Sequence, residues 1–279
     1  MIIKTMSILA KPHEDHAPDR HLLELIDVSV RYDTGIALEK TSLKVGAGEK
    51  IAIVGPNGAG KSTLFQVIAG LIEPSSGKVR IFGSAPHGHI CIGYIPQRWQ
   101  IDWHFPATVA DTVMMGRVGR MGIGRWPKAA DWQKVNQALD TVELKHLAKR
   151  RIQQLSGGQQ QRVFIARALA QEAEILLLDE PMTGLDNPSQ KRILDILDHI
   201  DQKDITILVS LHDLSIARKR FTNVILLNRE IISIGHPDTV LNSENLANAF
   251  QSHLHFYPEE DGHLAVSDMC CHTGEESDA

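Results

Sequence analysis

The sequence predicts an α/β fold, a largely parallel sheet with helices packed on it, and three observations carry that prediction. The run Lys50-Ile51-Ala52-Ile53-Val54 is short, apolar and β-branched, as a strand buried on both faces requires, and a glycine-rich loop joins it to a helix patterned by Leu64, Phe65, Ile68, Leu71 and Ile72. Two more apolar runs, 174–178 and 205–209, flank a helical stretch from Ser189 to Ile200. Strands that alternate with helices imply parallel pairing through crossovers. The first of these runs ends in Asp179-Glu180, which brings two carboxylates to the carboxyl edge of the sheet, where the glycine-rich loop also lies.

That loop is Gly55-Pro56-Asn57-Gly58-Ala59-Gly60-Lys61-Ser62-Thr63, a full match to G-x-x-x-x-G-K-[ST]. With no Cβ at 55, 58 and 60, successive N–H groups can converge on a phosphate, and the helix that follows adds the positive end of its dipole. Lys61 is placed to reach the β- and γ-phosphates, and the Ser62 hydroxyl to complete the coordination of Mg²⁺, a hard cation that prefers oxygen ligands. A chance glycine-rich turn would not come with a buried strand before it and an amphipathic helix after it. Nucleotide binding is therefore the first functional expectation.

In chain order, residues 1–21 read as a flexible tail. Met1–Ala10 is apolar but is interrupted by Lys4, lacks a secretory cleavage site and leads into Lys11-Pro12-His13-Glu14-Asp15. Residues 23–32 alternate, with Ile26, Val28, Val30 and Tyr32 expected on one face of a strand. Tyr32, just before the turn Asp33-Thr34-Gly35, can either stack on adenine or act as a half-buried strand aromatic, and the sequence leaves both open. Residues 36–45 form a second strand, Gly46-Ala47-Gly48-Glu49 turns into the loop strand, and Pro74-Ser75-Ser76-Gly77 ends the helix before another strand over 78–82.

Composition shifts after Gln97. All four tryptophans, Trp99, Trp103, Trp126 and Trp132, precede a helical pattern through Val135, Leu139, Val142 and Leu147, which predicts a helical insert over about residues 98–168. Such aromatics are either the insert's own core or anchors for another protein. Residues 224–228 and 231–234 read as a final strand pair around Arg229-Glu230.

Composition sets limits. The 279 residues have room for one large or two small domains, and 43% hydrophobic with 23% charged residues is ordinary for a globular chain. A formal net charge of −5 argues against a nucleic-acid binder that depends on a basic surface. No apolar run approaches the ~20 residues of a transmembrane helix, so a membrane role must pass through a partner. Three cysteines, two of them adjacent, offer no disulfide framework and suit a reducing compartment.

The two carboxylates should divide the work. Asp179 is placed to hold Mg²⁺ through its water shell, and Glu180 to orient and deprotonate an attacking water. Between loop and carboxylates lies Leu155-Ser156-Gly157-Gly158-Gln159-Gln160-Gln161-Arg162, opening a helix over 163–170. In this order and spacing the chain resembles the ATP-binding subunits of ABC transporters, over about residues 22–250. The resemblance implies a P-loop NTPase (RecA-like) core with an antiparallel β subdomain and an inserted helical subdomain, with ATP and Mg²⁺ as cofactors. It also implies that Ser156, Gly157, Gly158 and Gln159 act in trans, closing on the γ-phosphate held by Lys61 of a second copy in a head-to-tail dimer. A helix N-terminus with free N–H groups suits an anion. By the same resemblance Gln97 contacts Mg²⁺ and water, Asp186 in Thr183-Gly184-Leu185-Asp186 crosses the dimer interface, and His212 in Ser210-Leu211-His212-Asp213 contacts the γ-phosphate. Asp186 also reads as a helix cap.

The segment Asp102-Trp103-His104-Phe105-Pro106-Ala107-Thr108-Val109, followed by Met115-Gly116-Arg117, resembles the ATPases of manganese, zinc and iron importers. That subgroup implies an ATPase on the cytoplasmic face of the membrane, beneath transmembrane permease subunits fed by an extracytoplasmic metal-binding protein, with manganese favoured and no nucleic acid involved. A soluble ABC-type ATPase and a metal-responsive regulator are the alternatives. After Phe250 the acidic tail over 251–279 contains no lysine or arginine. Its His253, His255, His263, Cys270, Cys271 and His272 are competent ligands for a soft or borderline metal, although their spacing matches no closed site. His13, His16 and His21 stand likewise.

Overall fold

A computed structural model of the chain describes residues 22–86, 91–97, 106–122, 124–201, 205–250, 255–258 and 264–267. The elements run β1 (Leu23–Tyr32), β2 (Gly35–Val45), β3 (Lys50–Val54), α1 (Lys61–Ile68), β4 (Ser76–Ile81), β5 (Ile92–Ile95), α2 (Val109–Met114), α3 (Val118–Met121), α4 (Ala129–Thr141), α5 (Gly157–Ala170) and β6 (Ile175–Leu178). They continue with α6 (Asn187–Asp201), β7 (Thr206–Leu211), α7 (Leu214–Arg220), β8 (Asn223–Asn228), β9 (Glu230–Gly235), α8 (Pro237–Val240), α9 (Ser243–Phe250), β10 (His255–Pro258) and β11 (Leu264–Ser267). The expected tail over 1–21, the Trp99 and Trp103 region and all the tail ligands except His255 lie outside the described residues. The strand pair β10–β11 was not expected.

The principal sheet has the order β5-β6-β7-β3-β8-β9, parallel throughout except for the β8–β9 hairpin. Apart from the edge strand β9, its strands are buried on both faces, and their alternation divides the core in two. Ala52 and Val54 face the helices α4 to α7 and α9, together with Leu176, Leu178, Ile207 and Val209. Ile51 and Ile53 face the other way with Ile175, Leu177, Leu208 and Ile225, against α1 and the antiparallel sheet β2-β1-β4. The phosphate-loop strand β3 thus sits between β7 and β8 near the middle of the molecule.

The first strand departs from its predicted face. Asp27 takes a left-handed φ of 47°, and the pairing with β2 shifts register between Leu25 and Val28. Leu23 and Leu25 are buried before the bulge and Val28 and Val30 after it, while Ile26 is only half-buried and Tyr32 is exposed. An extra residue reverses the phase of a period-two pattern. The Ser42 hydroxyl fixes the bulge by accepting from the Asp27 amide at 2.9 Å and donating to Asp27 Oδ1 at 3.1 Å.

The helices between β5 and β6 are tied to the sheet edge by a buried guanidinium. Arg117 reaches Asp131 Oδ1 at 3.2 Å, Glu172 Oε2 at 2.7 Å and the Ala170 carbonyl at 2.8 Å. Lys134 Nζ adds a contact of 2.6 Å to the other oxygen of Glu172. Gly116 has no room for a side chain here, since a Cβ would lie 2.2 Å from the Arg167 carbonyl.

Candidate functional site

The loop after β3 is held by close packing that only glycine allows. A Cβ on Gly55 would lie 2.0 Å from the Leu227 carbonyl of β8, and one on Gly60 would lie 2.3 Å from the Ala37 carbonyl of β2. Gly58 and Gly60 also take left-handed φ values of 77° and 94°. Gly60 is the N-cap of α1 and no side chain caps the helix, which leaves its N-terminus available to an anion. Lys61 is only 5% exposed, and its ammonium donates to the Gly55 carbonyl at 2.8 Å and the Pro56 carbonyl at 3.1 Å. The loop therefore encloses a buried cation above a helix N-terminus, which is the chemistry of an anion cradle.

A cavity of about 490 Å³ opens over this cradle, lined by the loop from Asn57 to Thr63, by Gln97 and Glu180, and by Tyr32 with Thr34 to Ala37. Tyr32 is 45% exposed, so its ring is in the cavity wall and not in the core. Gly55 and Pro56 do not line the cavity; they shape the loop and hold Lys61.

Asp179 lies behind this wall and is fully buried. Its Oδ1 accepts the Ser210 hydroxyl at 2.8 Å, and its buried Oδ2 makes no well-formed hydrogen bond, with the Ser62 and Tyr94 hydroxyls close to the carboxylate. Burial pushes the carboxyl above its ordinary value, with the neighbouring Glu180 charge adding to the rise, while the Ser62 and Ser210 hydroxyls and Lys61 oppose it. A buried carboxylate oxygen with only hydroxyls beside it and no cation suits a divalent metal ion, because a buried charge is otherwise costly. The residues present therefore fit Mg²⁺, with Asp179, Ser62 and Gln97 as the group that would hold it.

Glu180 is joined to a second cavity of about 180 Å³ that also contains His212. His212 Nε2 is 2.5 Å from Glu180 Oε1, and Thr183 Oγ1 donates to Oε2 at 3.4 Å. Burial pushes the Glu180 carboxyl up, but the His212 hydrogen bond and charge, with Lys61, outweigh it and hold it below the usual carboxylate range. It is ionised at neutral pH. Its backbone sits at a left-handed φ of 47°, a conformation that costs about 1–3 kcal/mol in a non-glycine residue and clusters at functional sites. His212, expected at the γ-phosphate, lies in this adjoining cavity and is paired with the carboxylate.

The remaining predicted residues are elsewhere on the chain. Ser156 caps α5 in a reciprocal box, its hydroxyl accepting from the Gln159 amide at 3.3 Å while its own amide donates to Gln159 Oε1 at 3.0 Å. Gly158 is pressed against α6, where a Cβ would lie 2.5 Å from the Ser189 hydroxyl. The Ser189 hydroxyl and amide hold the Asp186 carboxyl below its usual range, as a helix cap does. Ser156, Gly157, Gly158, Gln159 and Asp186 do not line the cavity of their own loop.

Two residues in the site were missed by sequence reasoning. Ser210 is the fully buried hydroxyl in the strand Thr206–Leu211, and it accepts from the Glu180 amide at 2.8 Å as it donates to Asp179. A polar side chain in an apolar run is the signal that could have found it, because buried hydroxyls need partners. Arg229 lines the main cavity from the tip of the β8–β9 hairpin. Its signal was weaker, since it reads as an ordinary turn residue.

A buried strand, a phosphate loop, a capped lysine and two edge carboxylates around one cavity define a P-loop nucleoside triphosphatase. Comparison with known proteins narrows the class. The model of the family described as ABC transporter matches residues 38–183. The chain is 43% identical over 239 residues to the manganese transport system ATP-binding protein MntB of Bacillus subtilis, covering 85% of this chain and 96% of that one. Among solved structures, a metal-chelate type ABC transporter in an inward-facing conformation superposes with a TM-score of 0.77 and 30% identity, over 89% of this chain and 98% of that one. A dimeric ATP-binding cassette in a post-hydrolysis state with ADP and phosphate superposes with a TM-score of 0.67 and 28% identity, over 77% of this chain and 98% of that one. The chain belongs to the ABC transporter family.

Proposed function

We propose that this chain is the ATP-hydrolysing subunit that energises an importer for a divalent transition metal, with manganese favoured ahead of zinc and iron. The observation that carries the proposal is one cavity in which the phosphate loop, Gln97 and Glu180 meet, with a buried, half-satisfied Asp179 behind them. Its likeness to a manganese-system ATPase over 96% of that protein supports the metal.

In this reading the loop amides and Lys61 bind the β- and γ-phosphates, and Tyr32 stacks on the base. Bound Mg²⁺ supplies charge neutralisation on the phosphate oxygens and is held by Ser62, Gln97 and Asp179. Glu180, kept ionised by His212, orients the attacking water and accepts its proton; because its pKa is low, orientation contributes more than proton affinity. His212 also carries the link from Glu180 toward the γ-phosphate.

Ser156 to Gln159 and Asp186 act on a second copy, head to tail, which explains why they stand away from their own cavity. The dimeric cassette with ADP and phosphate supports that arrangement. ATP closes the pair because it contacts both halves only in the closed state, and hydrolysis reopens it. Residues 22–250 form the ATPase domain, with a helical insert over about 98–168, flanked by tails over 1–21 and 251–279. No helix among the described residues is long and apolar enough to cross a membrane. The chain works on the cytoplasmic face, beneath permease subunits supplied by an extracytoplasmic metal-binding protein.

The test is the elemental content of cells with and without the chain, grown at limiting manganese, zinc and iron. A selective fall in manganese is the expected result. Unchanged metals alongside intact ATPase activity of the purified chain would point to a soluble ABC-type machine instead.

A further inference from the structure

We infer that Arg229 is a nucleotide-binding residue that, together with Lys61, holds the anionic tail of the nucleotide. The inference rests on the reading of the main cavity as the nucleotide site.

Arg229 is the sole residue between Asn228 and Glu230, which pair with each other across the β8–β9 hairpin. The turn forces it to a φ of 63°, in the left-handed region. Glycine or asparagine fits such a position, whereas a long side chain is strained there. Strain of this kind persists where something else fixes the residue.

The backbone of Arg229 is fixed from both sides. Its amide donates to the Ala59 carbonyl in the phosphate loop at 2.8 Å, and its carbonyl accepts from the Glu39 amide of β2 at 2.7 Å. One residue therefore joins the phosphate loop, the hairpin of the principal sheet and the sheet that carries Tyr32. Glycine would make both hydrogen bonds without strain, so they do not explain the arginine.

The side chain does. Arg229 is exposed, and the residue lines the same cavity as the phosphate loop, Lys61 and Tyr32, which leaves its side chain free to reach a bound ligand. Among the described residues no carboxylate pairs with it, whereas Arg117, Arg120, Arg192 and Arg220 each have one. A guanidinium carried on the wall of a cavity that contains a phosphate cradle matches an anionic ligand in charge and in its planar set of donors.

The purified full chain provides the test, by displacement of a fluorescent ATP analogue with ATP, ADP and adenosine at two ionic strengths, and by thermal melting. For Arg229→Gln we expect ATP and ADP affinity to fall about tenfold or more, adenosine affinity to hold, and the salt dependence of ADP binding to weaken. Arg229→Gly relieves the backbone and should melt at the same or a higher temperature while losing the same affinity. A merely structural role predicts the reverse for the glycine variant, with affinity kept. Variants that bind ADP as the unaltered chain does would overturn the inference, and so would an equal loss for adenosine, which would assign the contact to the base. If the unaltered chain itself fails to bind ATP, the reading of the cavity falls first, before any comparison of variants.

Discussion

The Ser210 hydroxyl and Asp179 Oδ1 lie 2.8 Å apart with both residues fully buried, and the same hydroxyl receives the Glu180 amide. One atom thus sets the orientation of the carboxylate offered to a cation and the backbone of the residue offered to water. Ser210→Ala would leave a buried carboxylate oxygen and a half-buried amide unmatched. The expected cost is about 1–3 kcal/mol in urea denaturation, together with a raised Mg²⁺ requirement for ATP hydrolysis.

Glu180→Gln keeps the shape of the site and removes the acceptor. Hydrolysis should fall by roughly 10²–10⁴-fold while ATP binding persists and dimers accumulate. Phosphate release and size-exclusion chromatography with ATP report the two effects, and rapid turnover in this variant would refute the role given to Glu180.

The acid side of the stability profile should carry the mark of Glu172. Burial pushes its carboxyl up, but Lys134 and Arg117 outweigh this and hold it at about 2 in the folded chain, against 4.5 unperturbed. A depressed carboxylate stabilises the fold fully above the unfolded value and loses that contribution as pH falls toward about 2. Glu172→Gln should therefore lower the melting temperature at pH 7, and the gap from the unaltered chain should narrow below pH of about 4.5. The carboxylate is 35% exposed, so added salt should shrink the gap as well.

Much of the fold was legible because it depends on local pattern. The strand at 50–54, the loop and its helix follow from apolar runs and glycine spacing, and β1 was found with its bounds. The face of β1 was not, because the bulge at Asp27 depends on a hydrogen bond from Ser42, 15 residues away. Sheet order was equally hidden, since β3 pairs with strands from the far end of the chain. In the site, Lys61, Asp179 and Glu180 announce themselves by motif. Ser210 and Arg229 do not, because their roles come from what tertiary contact places beside them.

Met115, Val118, Trp126 and Trp132 are exposed in the segment between β5 and β6, with Trp126, in the loop between α3 and α4, at 90%. An uncovered tryptophan of this kind favours an anchor over a core residue. Trp126→Ser should leave folding and ATP hydrolysis of the isolated chain unchanged. It should reduce recovery of the permease in detergent copurification, and full recovery would remove this surface from the interface.

The position of β3 bears on how the chain is made. Gly48, just before that strand, donates to a Thr206 hydroxyl 158 positions later, and both neighbours of β3 begin beyond residue 205. On the ribosome, at about 5–20 residues per second, the apolar strand that leads into the phosphate loop waits roughly 10–30 s for a partner. Until then it is an unpaired, sticky edge, and the nascent chain depends on chaperones or on the shelter of α1 and the antiparallel sheet, all of which are translated before residue 82.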